Sequence, residues 1–160
     1  MKILPCNITV DKEGVWHYEG RELIRRDIVE YLLENVVLGK DGKYVIETET
    51  GCCELDVADT PFVISRVDRV TRESSGEEQI LLSLRHLSSK EVLDPETLHV
   101  GAENVLYCRI RRGIFPARFS RPAYYEFAAW VQEDDRTGEF FIELNGKHYP
   151  IRGGGPGHAS

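Results

Sequence analysis

Two stretches near opposite ends of the chain repeat one pattern of helix signal, turn and strand at a fixed offset, which predicts two small, similar halves. Between Arg25 and Leu38 the apolar residues Val29, Leu32, Leu33 and Val36 recur at i, i+3, i+4 and i+7. Arg26, Glu30 and Glu34 follow one another at i, i+4 on another face, so the segment predicts an amphipathic helix. Gly39 stops it, and Lys40 to Lys43 supplies the turn chemistry that returns the chain as a strand. Tyr44, Ile46 and Thr48 share one face of that strand. After a turn at Thr50 and Gly51, Cys53, Leu55 and Val57 alternate with Glu54 and Asp56.

Near the C-terminus Ser120 is placed to N-cap a helix from Arg121 to about Gln132, with Pro122 in its first turn and Tyr124, Phe127, Ala128 and Val131 as its stripe. A polar turn over Glu133 to Gly138, a strand bearing Phe140, Ile142 and Leu144, an Asn145-Gly146 hairpin signal and a strand from Lys147 to Ile151 follow. Arg25 and Gly42 lie 17 positions apart, as do Arg121 and Gly138, and an offset of 96 pairs Tyr31 with Phe127, Tyr44 with Phe140 and Ile46 with Ile142. Internal duplication is one reading; chance recurrence of a common helix-plus-hairpin unit is the other.

Between these units Phe62 to Val70, Gln79 to Leu84 and Asn104 to Ile110 read as strands, and Asp11 to Glu19 as a first strand or hairpin with Trp16 and Tyr18 on one face. The fold class expected is α+β, with an N-terminal half over residues 1–60, a C-terminal half over 61–152 and a flexible tail over 153–160.

The 160 residues fit one ordinary domain or two very small ones. With 41% hydrophobic and 29% charged residues, the chain falls in the globular class. Acids outnumber bases 27 to 20, a net charge of −7, so neither nucleic acid nor an anionic membrane is an expected partner. No stretch approaches the roughly 18 apolar residues of a membrane span, and the N-terminus turns polar at Asp11, which leads to a cytoplasmic expectation. Cys6, Cys52, Cys53 and Cys108 include no Cys-x-x-Cys pair, so no metal is expected. Cys52 and Cys53 would point to opposite faces of a strand, and all four cysteines read as small buried hydrophobes without a redox role.

The chemistry concentrates between Asn104 and Tyr125, where Arg109, Arg111, Arg112, Arg118 and Arg121 occur without one acidic residue. Those five charges, removed from the chain's −7, leave −12 elsewhere, so the segment is a basic island. Arginine's planar fork suits bidentate recognition of phosphate or carboxylate. The island also ends at a predicted helix start, whose free N–H groups favour anions. Arg118 and Arg121 are the expected anion holders, Arg25 and Arg112 assist, and Trp16 or Tyr125 would line a pocket for a planar ring. The competing reading is a solvated, ion-paired strand face. No Walker loop, dinucleotide fingerprint, His-Glu-x-x-His or Gly-x-Ser-x-Gly occurs, and His17, His86, His99, His148 and His158 show no ligand spacing. No catalytic residue and no cofactor is therefore assigned.

Four strings, D-x-x-G-x-W-x-Y-x-G over Asp11 to Gly20, Leu23 and Arg25 at the first helix start, D-T-P-F over Asp59 to Phe62, and A-R-F-S-R-P-A-Y-Y-E-F over Ala117 to Phe127, together resemble domain-of-unknown-function family 1285. The chain departs from that pattern at Glu49 and Gly51, which replace a Pro and a Glu, and at Pro116, which replaces an acid. The resemblance implies a bacterial protein with a two-part α+β fold of duplicated cores, a C-terminal part superficially like pleckstrin-homology folds, and a role in signal transduction. It also implies a nucleotide-like ligand between the halves. The functional expectation is a non-catalytic ligand-binding or regulatory protein holding an anionic small molecule. The alternative is a protein-interaction module or homodimer, and the third reading an unrecognised enzyme.

Overall fold

Alternation of apolar and polar residues carries most of this chain into strands, and the computed structural model, which describes residues 4–153, is mostly sheet with two helices. One unit runs through Val63 and takes back Arg85–Ser88; the other holds Ile64–Leu84 and the chain from Ser89 onward.

The first unit comprises β1 (Leu4–Val10), β2 (Trp16–Tyr18), β3 (Arg21–Glu22), α1 (Arg26–Glu34), β4 (Val36–Leu38), β5 (Tyr44–Thr48) and β6 (Gly51–Val57). Its sheet has the order β3-β2-β1-β6-β5-β4, antiparallel except where β1 runs parallel to β6. Val29 and Leu33, four apart on α1, are buried, and Val10, Trp16, Ile46 and Leu55 complete the apolar centre. The turn after β1 is shaped by Asp11, whose Oδ1 accepts from the N–H groups of Glu13 and Val15 at 3.0 and 2.9 Å. Arg85–Ser88 lies against this turn and α1. The Arg85 N–H donates to the Val63 carbonyl at 2.8 Å, a His86 ring nitrogen meets the Gly14 carbonyl at 2.9 Å, and the Ser88 N–H donates to Glu30 at 2.8 Å.

The second unit comprises β7 (Val63–Thr71, starting at the boundary), β8 (Glu78–Leu84), β9 (Lys90–Val92), β10 (His99–Val100), β11 (Leu106–Ile110), β12 (Phe115–Phe119), α2 (Arg121–Ala128), β13 (Val131–Glu133), β14 (Phe140–Leu144), β15 (Lys147–Pro150) and β16 (Arg152–Gly153). Seven strands form one sheet in the order β16-β10-β11-β12-β7-β8-β9, and β13-β14-β15 form a small antiparallel meander. Ser120 caps α2 through the Ala123 N–H, and the helix buries Ala123 and Phe127, with Phe127 against Phe119 at 5.4 Å between ring centres.

Both helices end earlier than their stripes predict. Val36, expected as the i+7 position of the first stripe, and Val131, expected in the second, instead open strands β4 and β13. A stripe of four positions cannot separate a helix's last turn from a β-branched strand, and pairing of Val36 with Ile46 and of Val131 with Ile142 decides for the strand. The hairpins that follow pair alike at the offset of 96: Glu47 with Cys52 and Thr48 with Gly51, then Glu143 with His148 and Leu144 with Lys147. The helix faces do not follow that offset. Tyr31 is 55% exposed while Phe127 is wholly buried, and the buried helix pairs Val29 and Leu33, Ala123 and Phe127 lie 94 apart.

The expectation of four unbridged thiols is corrected: Cys6 and Cys53 form a disulfide between β1 and β6, with their Cα atoms 5.0 Å apart. A separation of 47 residues hid this pair, which only strand pairing brings together. Gly153, expected to open a flexible tail, pairs with Val100 in the sheet, and residues 154–160 lie outside the described residues. Among the described residues no helix is long and apolar enough to cross a membrane.

Candidate functional site

The basic island folds as the β11–β12 hairpin and the start of α2. Its register pairs Tyr107 with Arg118, Cys108 with Ala117, Arg109 with Pro116 and Ile110 with Phe115. Cys108, Ile110, Phe115, Ala117 and Phe119 are buried, so the period of two sends Tyr107, Arg109, Pro116 and Arg118 to the opposite face. Burial pushes the Cys108 thiol up, reinforced by Asp94 and Glu91, and keeps it neutral.

The row through Arg118 continues across the sheet. Tyr107 pairs with His99 of β10, and His99 pairs with Arg152 of β16. Directly paired residues share a face, so Arg152, His99, Tyr107 and Arg118 stand in one line, with arginines at both ends and two rings between. The rings stack at 5.5 Å between centres with 15° between planes. Strand spacing puts the Cα atoms of the two arginines roughly 14 Å apart, within the combined reach of two long side chains. His99 Nδ1 lies 3.0 Å from the Thr97 carbonyl; with a proton on that nitrogen, Nε2 is left as acceptor. A Cβ on Gly101 would stand 2.7 Å from Tyr107 Cε2, so the glycine is what lets the phenol lie against the backbone.

Arg118 is half-buried and already engaged, so an anion would share or displace its present partner. Arg121 is exposed at the first position of α2 and makes no ion pair among the described residues. Tyr125, 63% exposed, follows it at i+4 on the same helix face. Arg121 and Tyr125 thus share the exposed face of α2, which packs Phe127 on Phe119, whereas Arg118 stands on the opposite face of the sheet, so the three are neighbours in sequence without converging on one point.

The remaining expected residues are each placed by their own unit. Arg112 sits in the turn at the far end of the hairpin with φ 60°, and Phe115 to Arg118 alone spans about 10 Å of strand. Arg111 beside it is committed to Glu91, whose carboxylate accepts its backbone N–H at 3.2 Å. Arg25 is the N-cap residue of α1 and pairs with Asp27 at 2.7 Å; their mutual hydrogen bond raises the arginine's pKa and lowers the carboxyl's. Trp16, expected to line a ring pocket, is wholly buried in the first unit, with its indole N–H lacking a hydrogen-bond partner. Its alternation with His17 on β2 turns it inward, and no face is left for a ligand.

His99, Tyr107 and Arg152 were missed by sequence reasoning. The hairpin around Arg111 to Ile114 could have paired Tyr107 with Arg118, but nothing local announces that β10 and β16 join that edge. No group of three or more potential metal ligands occurs among the described residues.

Fold and site together define a two-unit α+β protein with a basic, aromatic sheet face. The fold is that of the family numbered 1285 among domains of unknown function. The crystal structure of a DUF1285 family protein from Silicibacter pomeroyi DSS-3 matches with a TM-score of 0.73, 17% identity, and coverage of 92% of this chain and 80% of that one. A DUF1285 family protein from Shewanella baltica OS155 matches with a TM-score of 0.63, 19% identity, and coverage of 78% of this chain and 91% of that one. No family model matches the chain, and no curated protein matches it.

Proposed function

We propose that this protein is a non-catalytic ligand-binding or regulatory protein that holds an anionic, nucleotide-like small molecule, a planar ring carrying phosphate or carboxylate. The observation that carries the reading is the in-register row of Arg152, His99, Tyr107 and Arg118, with Arg121 and Tyr125 on α2 after the same strand. Guanidinium groups supply charge-assisted hydrogen bonds to the anion, and the tyrosines and histidine supply stacking surfaces for a ring. A duplicated helix-plus-hairpin unit, a superficially pleckstrin-homology-like C-terminal half and a cytoplasmic signalling role belong to the same proposal.

The test is a thermal-shift screen with inorganic phosphate, mononucleotides and cyclic dinucleotides, comparing the parent with an Arg118→Ala, Arg121→Ala double variant. A compound at 100 times its Kd stabilises by ~2.7 kcal/mol, or roughly 5 to 10 °C for a chain of this size. A shift in the parent that the double variant loses supports the reading. No shift with any compound rejects it and leaves the arginines as architecture.

A second reading, a protein-interaction module or homodimer, is favoured by one observation: Ile24 is 83% exposed, and Ile28 and Tyr31 on α1 are exposed with it. Light scattering across a hundredfold concentration range distinguishes a dimer from a monomer.

A further inference from the structure

Asn145 and Gly146 close the β14–β15 hairpin between the paired Leu144 and Lys147, with φ of 54° and 76°, the two positive values of a type I′ turn. Of the chain's four asparagines, Asn7, Asn35 and Asn104 precede Ile8, Val36 and Val105, whose branched side chains shield the next peptide nitrogen. Asn145 alone precedes a glycine. Nothing stands within 4 Å of where a Cβ on Gly146 would be, and both residues are exposed. The Gly146 nitrogen is thus sterically open to the Asn145 carboxamide.

The fold works against that attack. The carboxamide is turned onto β8, where Oδ1 accepts from the Glu78 N–H at 2.7 Å and Nδ2 donates to the Glu78 carbonyl at 3.0 Å. Closing a ring between Asn145 Cγ and the Gly146 nitrogen breaks both bonds. The five-membered ring also fixes ψ of Asn145 outside the range of a type I′ turn, so the Leu144–Lys147 pair must open as well. Arg69 reinforces the same join, holding the Glu78 carboxylate and the Glu143 carbonyl together.

We propose that Asn145–Gly146 is a fold-gated self-modification site: closed while the turn is joined to Glu78, it deamidates when the join opens, and the product keeps the join open. The Gly146 nitrogen attacks Asn145 Cγ and gives up its proton, and the side-chain amide leaves as ammonia. Water then opens the succinimide. Addition at Cγ leaves aspartate, and addition at the main-chain carbonyl leaves isoaspartate, so no oxidant or reductant is needed. An aspartate still accepts from the Glu78 N–H, but its second oxygen then meets the Glu78 carbonyl, acceptor against acceptor, where Nδ2 had donated. It also adds a negative charge beside a residue whose own carboxylate already occupies Arg69. An isoaspartate lengthens the main chain by one methylene, which the two-residue turn between Leu144 and Lys147 cannot take up.

The test incubates the full chain at mildly alkaline pH, folded and in urea, and follows the amide-to-acid mass gain by peptide mapping, with aspartate and isoaspartate separated by chromatography. Asn145 is expected to convert at least about tenfold more slowly in the folded chain than in urea. Asn7, Asn35 and Asn104 stay amides in both over the same time. Arg69→Ala speeds conversion of the folded chain about threefold or more. Asn145→Asp, which supplies the product directly, quickens hydrogen exchange at Glu78 to Ile80 about fivefold or more while β5 changes by less than about twofold. Equal conversion of Asn145 in folded and urea-treated parent overturns the proposal, as does no conversion in either. Parental exchange at Glu78 in Asn145→Asp overturns the claim that the product holds the join open. The parent comparison stands whether or not Arg69→Ala folds.

Discussion

Arg69 grips Glu78 with two nitrogens, Nε at 3.1 Å and Nη2 at 3.2 Å, and the same Nη2 donates to the Glu143 carbonyl at 2.6 Å. The guanidinium also lies 5.7 Å from the centre of the Trp130 ring. Asn145 completes the join, accepting from the Glu78 N–H at 2.7 Å and donating to the Glu78 carbonyl at 3.0 Å. One arginine and one asparagine thus tie the β7–β8 hairpin to the β14–β15 turn. Arg69→Ala should lower Tm more than Glu78→Gln, because it also releases the Glu143 carbonyl and the Trp130 face. Hydrogen bonding to Arg69 holds the Glu78 carboxyl below its usual range, against a weaker desolvation effect. Its contribution is present above the unfolded value of 4.5 and is lost as pH falls through the lower folded value, so the gap between parent and Arg69→Ala narrows in acid. Thermal melts from pH 3 to 7 read both effects.

Gly14 is the tight point of the first unit. Its φ is +80°, and a Cβ there would stand 2.7 Å from Val63 Cγ2. Gly14→Ala is expected to cost about 2 to 4 kcal/mol, from the left-handed conformation and the clash together. Gly20, at φ +85° with nothing near its missing Cβ, is the matched control. Gly20→Ala is expected to cost about 1 kcal/mol, and equal losses in urea titrations would remove the steric argument.

His86 gives the first unit a pH dependence. Burial lowers its pKa from 6.5, and the Gly14 carbonyl, which favours the charged ring, only partly opposes that. The folded value lies below the unfolded one, so the unfolded chain binds the extra proton first. Stability is full above about pH 6.5 and declines as pH falls toward the folded value. His86 has φ 73°, and asparagine tolerates that conformation, so His86→Asn should retain the fold and flatten the slope of urea stability between pH 5 and 7.

Tyr31 and Phe127 test the difference between the two helices. Phe127→Ala empties a wholly buried site and is expected to cost about 3 to 5 kcal/mol. Tyr31→Ala, at an exposed site, should stay within about 0.5 kcal/mol. Comparable losses in denaturant melts would restore equivalence of the helix faces at the offset of 96.

The residues by themselves determined what rests on near neighbours. The period of two placed the strands through Ile46, Leu82, Cys108 and Ile142, Ser120 marked the start of α2, and Asn145-Gly146 marked a hairpin, because each signal acts within a few residues of chain. The basic island was legible for the same reason, since five arginines without an acid stand in one stretch. Tertiary structure alone decided which arginines share a row of the sheet, because alternation names a face but not the strand that will lie beside it. Tyr107 and His99 meet Arg118 only through β10 and β11, Arg152 joins through a strand more than thirty residues further on, and Arg112 is carried away by the length of the hairpin. Trp16 and Cys6 teach the same lesson. An aromatic that could line a pocket became core, and a cysteine read as unbridged found Cys53, because non-local strand pairing sets both burial and bonding distance.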